Sequence, residues 1–215
     1  MAGKFITLEG GEGAGKSTQI QALGERLRAR GLPVCATREP GGAPGAEQIR
    51  RLLVTGEPGR WTPLSEALLN YAARAEHLRA TILPALKKNQ WVLCDRFADS
   101  TLAYQGIAMG LSPDFVDQLY KQVVGAHEPD LTFILDLPVK VGLARATARR
   151  DGEDRYEKMG HDFHEMLRRA FLDIARANPH RCIVVDANAS PSEVTERIWE
   201  ALCARCPQIR TAGSK

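Results

Sequence analysis

Phe5-Ile-Thr-Leu-Glu9 runs directly into Gly10-Gly-Glu-Gly-Ala-Gly-Lys16-Ser17, and this junction decides the fold. Phe5–Leu8 is a short apolar run of the length expected for a buried strand, and from Thr18 to Arg30 the apolar residues recur at helical spacing. The stretch between them matches G-x-x-x-x-G-K-[ST] in the strand-then-helix setting that the motif requires. Glycines let the backbone turn tightly and aim successive N–H groups at phosphate oxygens, and the helix beginning at Lys16 adds the positive end of its dipole. Gly10, Gly11, Glu12, Gly13, Ala14, Gly15, Lys16, Ser17 and Thr18 are therefore read as the cradle of a nucleoside triphosphate. Lys16 supplies a point charge to the β- and γ-phosphates, and the Ser17 hydroxyl is a ligand for magnesium.

Outward from this junction the chain alternates. Further short apolar runs occur at Val34–Ala36, Trp91–Cys94, Leu131–Leu135 and Cys182–Val185. Between them lie stretches of helical periodicity at Glu47–Leu53, Leu64–Lys88, Pro113–Gly125, Val139–Arg149, Phe163–Ala177 and Pro191–Cys203. Near-continuous apolar strands separated by helices predict a five-stranded parallel sheet, doubly wound, with helices on both faces. Ligands of such sheets sit beyond the carboxyl ends of the strands. Residues 1–207 are expected to form one domain, with an arginine-rich lid at about 145–157 and a flexible tail at 208–215.

With 44% apolar and 26% charged residues, the 215-residue chain has the composition of a packed globular protein, not of a fibrous or disordered one. A net charge of +3 is too balanced for a nucleic-acid wrapper, and no basic–aromatic stripe is present, so no nucleic-acid partner is expected. No apolar run approaches the ~20 residues of a membrane span, and Glu9 interrupts the first run too early for a signal peptide. Five scattered cysteines (Cys35, Cys94, Cys182, Cys203, Cys206) suit free thiols in a reducing compartment, so the expected location is the cytoplasm. Neither Cys203-x-x-Cys206 nor His161-x-x-His164 has the partners that a metal site needs. His77, His127 and His180 read as surface or helix-end residues.

A guanine-reading N-K-x-D is missing, which argues against a GTPase, and the length favours a kinase for a small acceptor. A non-catalytic nucleotide switch is the alternative of another class. Asp95 closes the apolar run Val92-Leu-Cys94, where a carboxylate can hold magnesium directly or through water, and Arg96 beside it can clamp an acceptor phosphate with two parallel hydrogen bonds.

Thr37-Arg-Glu-Pro-Gly-Gly42, Tyr71-Ala-Ala-Arg74, Asp95-Arg-Phe-Ala-Asp-Ser-Thr-Leu-Ala-Tyr-Gln-Gly106 and Asp154-Arg-Tyr-Glu157 together resemble bacterial thymidylate kinases. The likeness runs from Lys4 to about Val185 in the same order and spacing. It implies the nucleoside monophosphate kinase fold, ATP with Mg2+ as donor, dTMP as acceptor, dTDP on the way to dTTP as product, and a homodimer. A related kinase for another nucleotide is the alternative within the class. Carried over by position, Arg74 resembles the family's thymine reader, a donor-only side chain suited to a base carbonyl. Arg50 and Arg96 match arginines near the acceptor phosphate, with Arg38 a further candidate. Thr101 and Gln105 sit where the family hydrogen-bonds the thymine ring, and Tyr104 where an aromatic ring packs on the deoxyribose. Glu12 matches a carboxylate on the acceptor's 3′-hydroxyl, and Glu39 one near magnesium and acceptor. Many relatives stack a phenylalanine on thymine four residues before the arginine. Here that position is Asn70, which leaves Tyr71 as the expected stacking ring.

The phosphate loop carries no cation besides Lys16. Relatives with such a loop place their catalytic arginine in the lid, which makes Arg149 and Arg155 the expected lid cations, with Arg150 in reserve. With Lys16, Asp95 and Glu12 these complete the expected catalytic set.

Overall fold

The computed structural model describes residues 2–148 and 155–210. Five strands form one wholly parallel sheet in the order β2-β3-β1-β4-β5: β1 Phe5–Glu9, β2 Val34–Arg38, β3 Trp91–Asp95, β4 Leu131–Asp136 and β5 Cys182–Asp186. Each expected strand is present. Each runs one or two residues past its apolar stretch, to Glu9, Arg38, Asp95, Asp136 and Asp186, so charged side chains stand along the carboxyl edge. β1 lies at the centre, and the phosphate loop leaves its carboxyl end between β3 and β4, the position where doubly wound sheets bind ligands.

Alternation along the strands feeds two faces. Ile6, Leu8, Leu93, Phe133 and Leu135 pack beneath α1 (Lys16–Ala29) and α9 (Pro191–Arg205). Phe5, Val92 and Cys94 pack on the opposite face, with Tyr71 from α3 (Pro63–His77) and Val116 from α6 (Pro113–Val123). There α8 (His161–Ala177) adds Leu167, Phe171 and Ile174 over Ile134. A phased apolar pattern on every strand is what closes both layers.

Three stretches differ from expectation. The helical run Leu64–Lys88 is divided: α3 is followed by a π-helical segment, Leu78–Ile82, and by the short α4, Leu83–Lys87. Pro84 at the start of α4 has no N–H and crowds the turn before it, which accounts for the wide turn. A helix absent from the periodicity reading spans α5, Ala98–Thr101, and the π-helical Leu102–Ala108. It puts Ser100, Thr101, Tyr104 and Gln105 three and four residues apart on one face. The third difference lies at the end of the chain. Pro207–Ile209 forms a 3-10 turn, Ile209 is fully buried, and Arg30 donates to its carbonyl at 3.1 Å. Residues 208–210 therefore belong to the packed structure, and of the expected tail 211–215 lie outside the described residues.

α2 spans Pro44–Val54, and the phosphate loop rests on α7 (Val139–Thr147). Gly13, at φ +68°, passes so close that an added Cβ would lie 1.9 Å from the Gly142 carbonyl oxygen of α7. A Cβ on Gly142 would lie 2.4 Å from the Glu12 carbonyl oxygen. Two backbones meet here without side chains between them. Gly142→Ala should therefore overpack this contact at a cost of about 1–3 kcal/mol and displace the loop. In a thermal melt Tm should fall by about 2–4 °C for each kcal/mol lost, with weaker triphosphate binding. An unchanged Tm would show that the loop does not depend on this approach.

Candidate active site

The carboxyl edges of β1, β2 and β3 open onto one cavity of about 260 Å³. One wall is the loop from Glu12 to Thr18; the other holds Arg38, Glu39, Arg50, Asn70, Asp95, Arg96, Thr101, Tyr104 and Gln105, with Tyr156 and Glu157 at its edge. Most residues expected from sequence are thus brought together. Gly10 and Gly11 stand behind the loop and serve it through their carbonyls. Lys16 Nζ donates to Gly11 O at 2.9 Å and to Gly10 O at 3.2 Å. Burial, then the neighbouring Arg96 charge, lowers the Lys16 ammonium to about 8.

Arg96 joins the two sides. Its backbone is left-handed at φ +68°, an unusual conformation for a side chain this large. From there its guanidinium reaches Gly10 O at 2.8 Å, Ser100 Oγ at 3.3 Å and the Glu12 carboxylate at 2.9 Å, and lies over the Tyr104 ring. Tyr104 donates its hydroxyl to the same Glu12 oxygen at 2.6 Å. Ser17 donates to Asp95 Oδ2 at 2.5 Å, so a hydroxyl and a carboxylate converge on the cavity wall next to Lys16. Such hard oxygen donors fit a divalent cation like Mg2+. Arg38 pairs with Glu47 at 3.2 Å, and Arg50 donates to Pro40 O at 2.7 Å.

Arg74 is held from below. Its Nε donates to Glu39 Oε2 at 2.8 Å, and its Nη2 to Phe97 O at 3.0 Å and Thr101 Oγ1 at 3.1 Å; its Nη1 is buried with no partner. Glu39 is 5% exposed, and its other oxygen meets His77 Nδ1 at 2.9 Å, while His77 Nε2 meets Thr37 Oγ1 at 2.6 Å. His77 is at a helix end as expected, yet fully buried, because it braces Glu39. Glu39 has both oxygens engaged by Arg74 and His77, so its place here is to hold the Arg74 guanidinium.

Two expected roles are corrected by the geometry. Tyr71 is not a stacking wall of the cavity: it is 2% exposed, donates to Val116 O at 3.2 Å and lies beneath the Arg74 guanidinium at 4.6 Å. Asn70, four residues before Arg74, shares its helix face and lines the cavity instead. Arg155 is not a lid cation facing the cavity. It is 1% exposed, forms a close ion pair with Glu66 and donates to Leu53 O at 2.8 Å. Arg149 and Arg150 lie outside the described residues.

Sequence reasoning missed Glu9, Ser100 and Glu66. Glu9 is fully buried, accepts from Phe97 N at 2.7 Å and Ser100 Oγ at 2.6 Å, and so holds the turn that carries Arg96. Its signal was a carboxylate ending an apolar strand. Glu66, Asn70, Arg74 and His77 form a polar stripe at helical spacing on a helix otherwise rich in alanine and leucine, and that stripe was the signal for Glu66.

A triphosphate cradle on a doubly wound parallel sheet, facing arginines across one cavity, defines a P-loop phosphotransferase of the nucleoside monophosphate kinase class. The thymidylate kinase family profile matches residues 8–198. The chain is 54% identical to a thymidylate kinase of Afipia carboxidovorans, over 99% of this chain and 94% of the relative, and 53% identical to one of Caulobacter vibrioides, over 94% and 97%. A crystal structure of thymidylate kinase from Ehrlichia chaffeensis superposes with a TM-score of 0.75 at 36% identity, covering 94% of this chain and 99% of that one. The chain belongs to the thymidylate kinase family.

Burial, then the charge of Asp99, raises the Glu9 carboxyl to about 8. Between about pH 4.5 and 8 the unfolded chain therefore loses this proton before the folded one does, and stability falls as pH rises through that window. Glu9→Gln keeps the shape and removes the proton. Denaturant melts of variant and parent should shift in the variant's favour from pH 5 to pH 8. A pH-independent difference would place the Glu9 proton elsewhere.

Proposed function

We propose that this chain transfers the γ-phosphoryl group of ATP to the phosphate of dTMP, giving dTDP and ADP. The observation that carries the reading is Arg74: a buried guanidinium with one unpartnered nitrogen, in contact with Glu39 and Thr101 of the cavity wall opposite the triphosphate loop. A donor-only group left unsatisfied under a cavity suits a base carbonyl.

The loop amides and Lys16 hold the donor phosphates; Ser17 and Asp95 would hold Mg2+, directly or through water. The ion, when bound, draws charge from the transferring group and its bridging oxygen. Arg96 orients the dTMP phosphate so that one of its oxygens attacks the γ-phosphorus as the bond to the β-phosphate oxygen breaks, and that electron pair leaves on ADP. The nucleophile is already anionic, so the site needs position and positive charge more than a base. Glu12, buttressed by Arg96 and Tyr104, is assigned to the 3′-hydroxyl. Tyr104 is assigned to the deoxyribose, where its ring would crowd a 2′-hydroxyl. Thr101 and Gln105 are assigned to the base, with Arg38 and Arg50 as further cations of the acceptor side. With Arg155 locked in the interior, the lid cation is assigned to Arg149 on family resemblance. Exposed Leu64 and Leu68, four apart on α3, with Leu52 on α2, form an apolar face that supports a homodimer. The free thiols among the described residues support a cytoplasmic enzyme.

The test is a coupled ADP assay over dTMP, dUMP, UMP, dCMP and dAMP. dTMP should show the highest kcat/KM, with UMP lower by about 10²-fold or more, the scale of a site that excludes an added hydroxyl. Turnover favouring UMP over dTMP would overturn the roles of Tyr104 and Arg74.

A further inference from the structure

Glu66 is 1% exposed, lies behind the cavity wall without lining it, and is the junction of three elements. Its Oε1 forms the close ion pair with Arg155, and its Oε2 accepts from Gln105 Nε2 at 2.9 Å and from the Tyr156 hydroxyl at 3.0 Å. Arg155 is itself anchored by the carbonyls of Leu53 and Glu57, so the carboxylate is held in place on every side.

We propose that Glu66 is a positioning residue that sets which base edge the site accepts, by fixing the orientation of the Gln105 amide. This rests on the thymidylate reading above. An ionised carboxylate accepts hydrogen bonds and cannot donate one. Gln105 must therefore turn its NH2 toward Glu66, and the atom it retains for the cavity it lines is the acceptor Oε1. Arg74 offers the neighbouring donor. Together they match a base with an N–H beside a carbonyl, the N3–H and O4 of thymine. Cytosine places a lone pair at N3 and an amino group at C4, so it meets acceptor with acceptor and donor with donor. A site of this kind rejects the mismatched base because both buried groups would be left unpaired. Arg155, expected from sequence to serve catalysis, thus acts with Glu66 on specificity from beneath the pocket.

A glutamine at position 66 can donate as well as accept, which frees Gln105 to turn over. The experiment supplies dTMP and dCMP together, with ATP and Mg2+, to the parent protein, to Glu66→Gln, and to the double variant Glu66→Gln/Arg155→Met, which leaves no unpaired buried guanidinium. The ratio of dTDP to dCDP formed is read. Both nucleotides meet the same folded molecules, so this ratio is blind to any loss of folded protein and reports the site alone. The ratio should fall at least tenfold in the single or the double variant. A ratio within twofold of the parent in both would overturn the proposal. If the parent itself fails to phosphorylate dTMP, it is the functional reading that fails, not the role of Glu66.

Discussion

One guanidinium ties the molecule's two halves together. Arg96 sits at the carboxyl end of β3 in a left-handed conformation, and that turn sends its side chain sideways to the phosphate loop instead of onward along the strand. In that position it braces the carbonyl of Gly10, neutralises Glu12 and faces the acceptor cavity. The strain of such a conformation persists only where the surroundings over-determine it. Glu9 supplies that constraint by accepting from Phe97 N and Ser100 Oγ, and the Arg96 backbone N–H adds a bond to Leu8 O at 2.9 Å. A central strand, its loop and its neighbour's turn are therefore one mechanical unit.

The acceptor side is built from charges removed from water. Glu39 with Arg74, Glu66 with Arg155, and Asp99 with Arg181 are all less than one-tenth exposed. Burying such pairs costs several kcal/mol of desolvation for each ion, and apolar replacements are often no less stable. Their value lies in direction. Two of the three present a donor or acceptor at one fixed place: Arg74 through Glu39 and His77, Gln105 through Glu66. Breaking one partner leaves the other charged and unpaired, so single substitutions at these sites affect geometry and stability together.

What the sequence disclosed was local. The phosphate loop is continuous, and its chemistry follows from residue type and spacing. The five strands show as short apolar runs, because a sheet covered on both faces leaves no polar alternation to confuse them. What it hid was set by contacts distant in the chain. Tyr71 and Asn70 are adjacent, and only the packing of α3 on α6 decides which of them faces the cavity. Arg155 lies 89 residues from Glu66, and no periodicity reveals that a cation in an arginine-rich stretch is consumed in the interior. Ile209 belongs to the core through a pocket formed by α1 and α9, although its neighbours in sequence are polar. The helix from Ala98 to Ala108 was hidden because polar residues facing the cavity interrupt its apolar positions.

The bridging role of Arg96 is most directly tested by calorimetric titration of dTMP into the parent protein and into Arg96→Met, each with Mg2+ and a non-hydrolysable ATP analogue present. Losing one partner of a buried, hydrogen-bonded charge contact costs about 2–5 kcal/mol, so dTMP affinity should weaken by about 30-fold or more. Affinity within threefold of the parent would contradict the view that this one side chain unites donor loop and acceptor pocket.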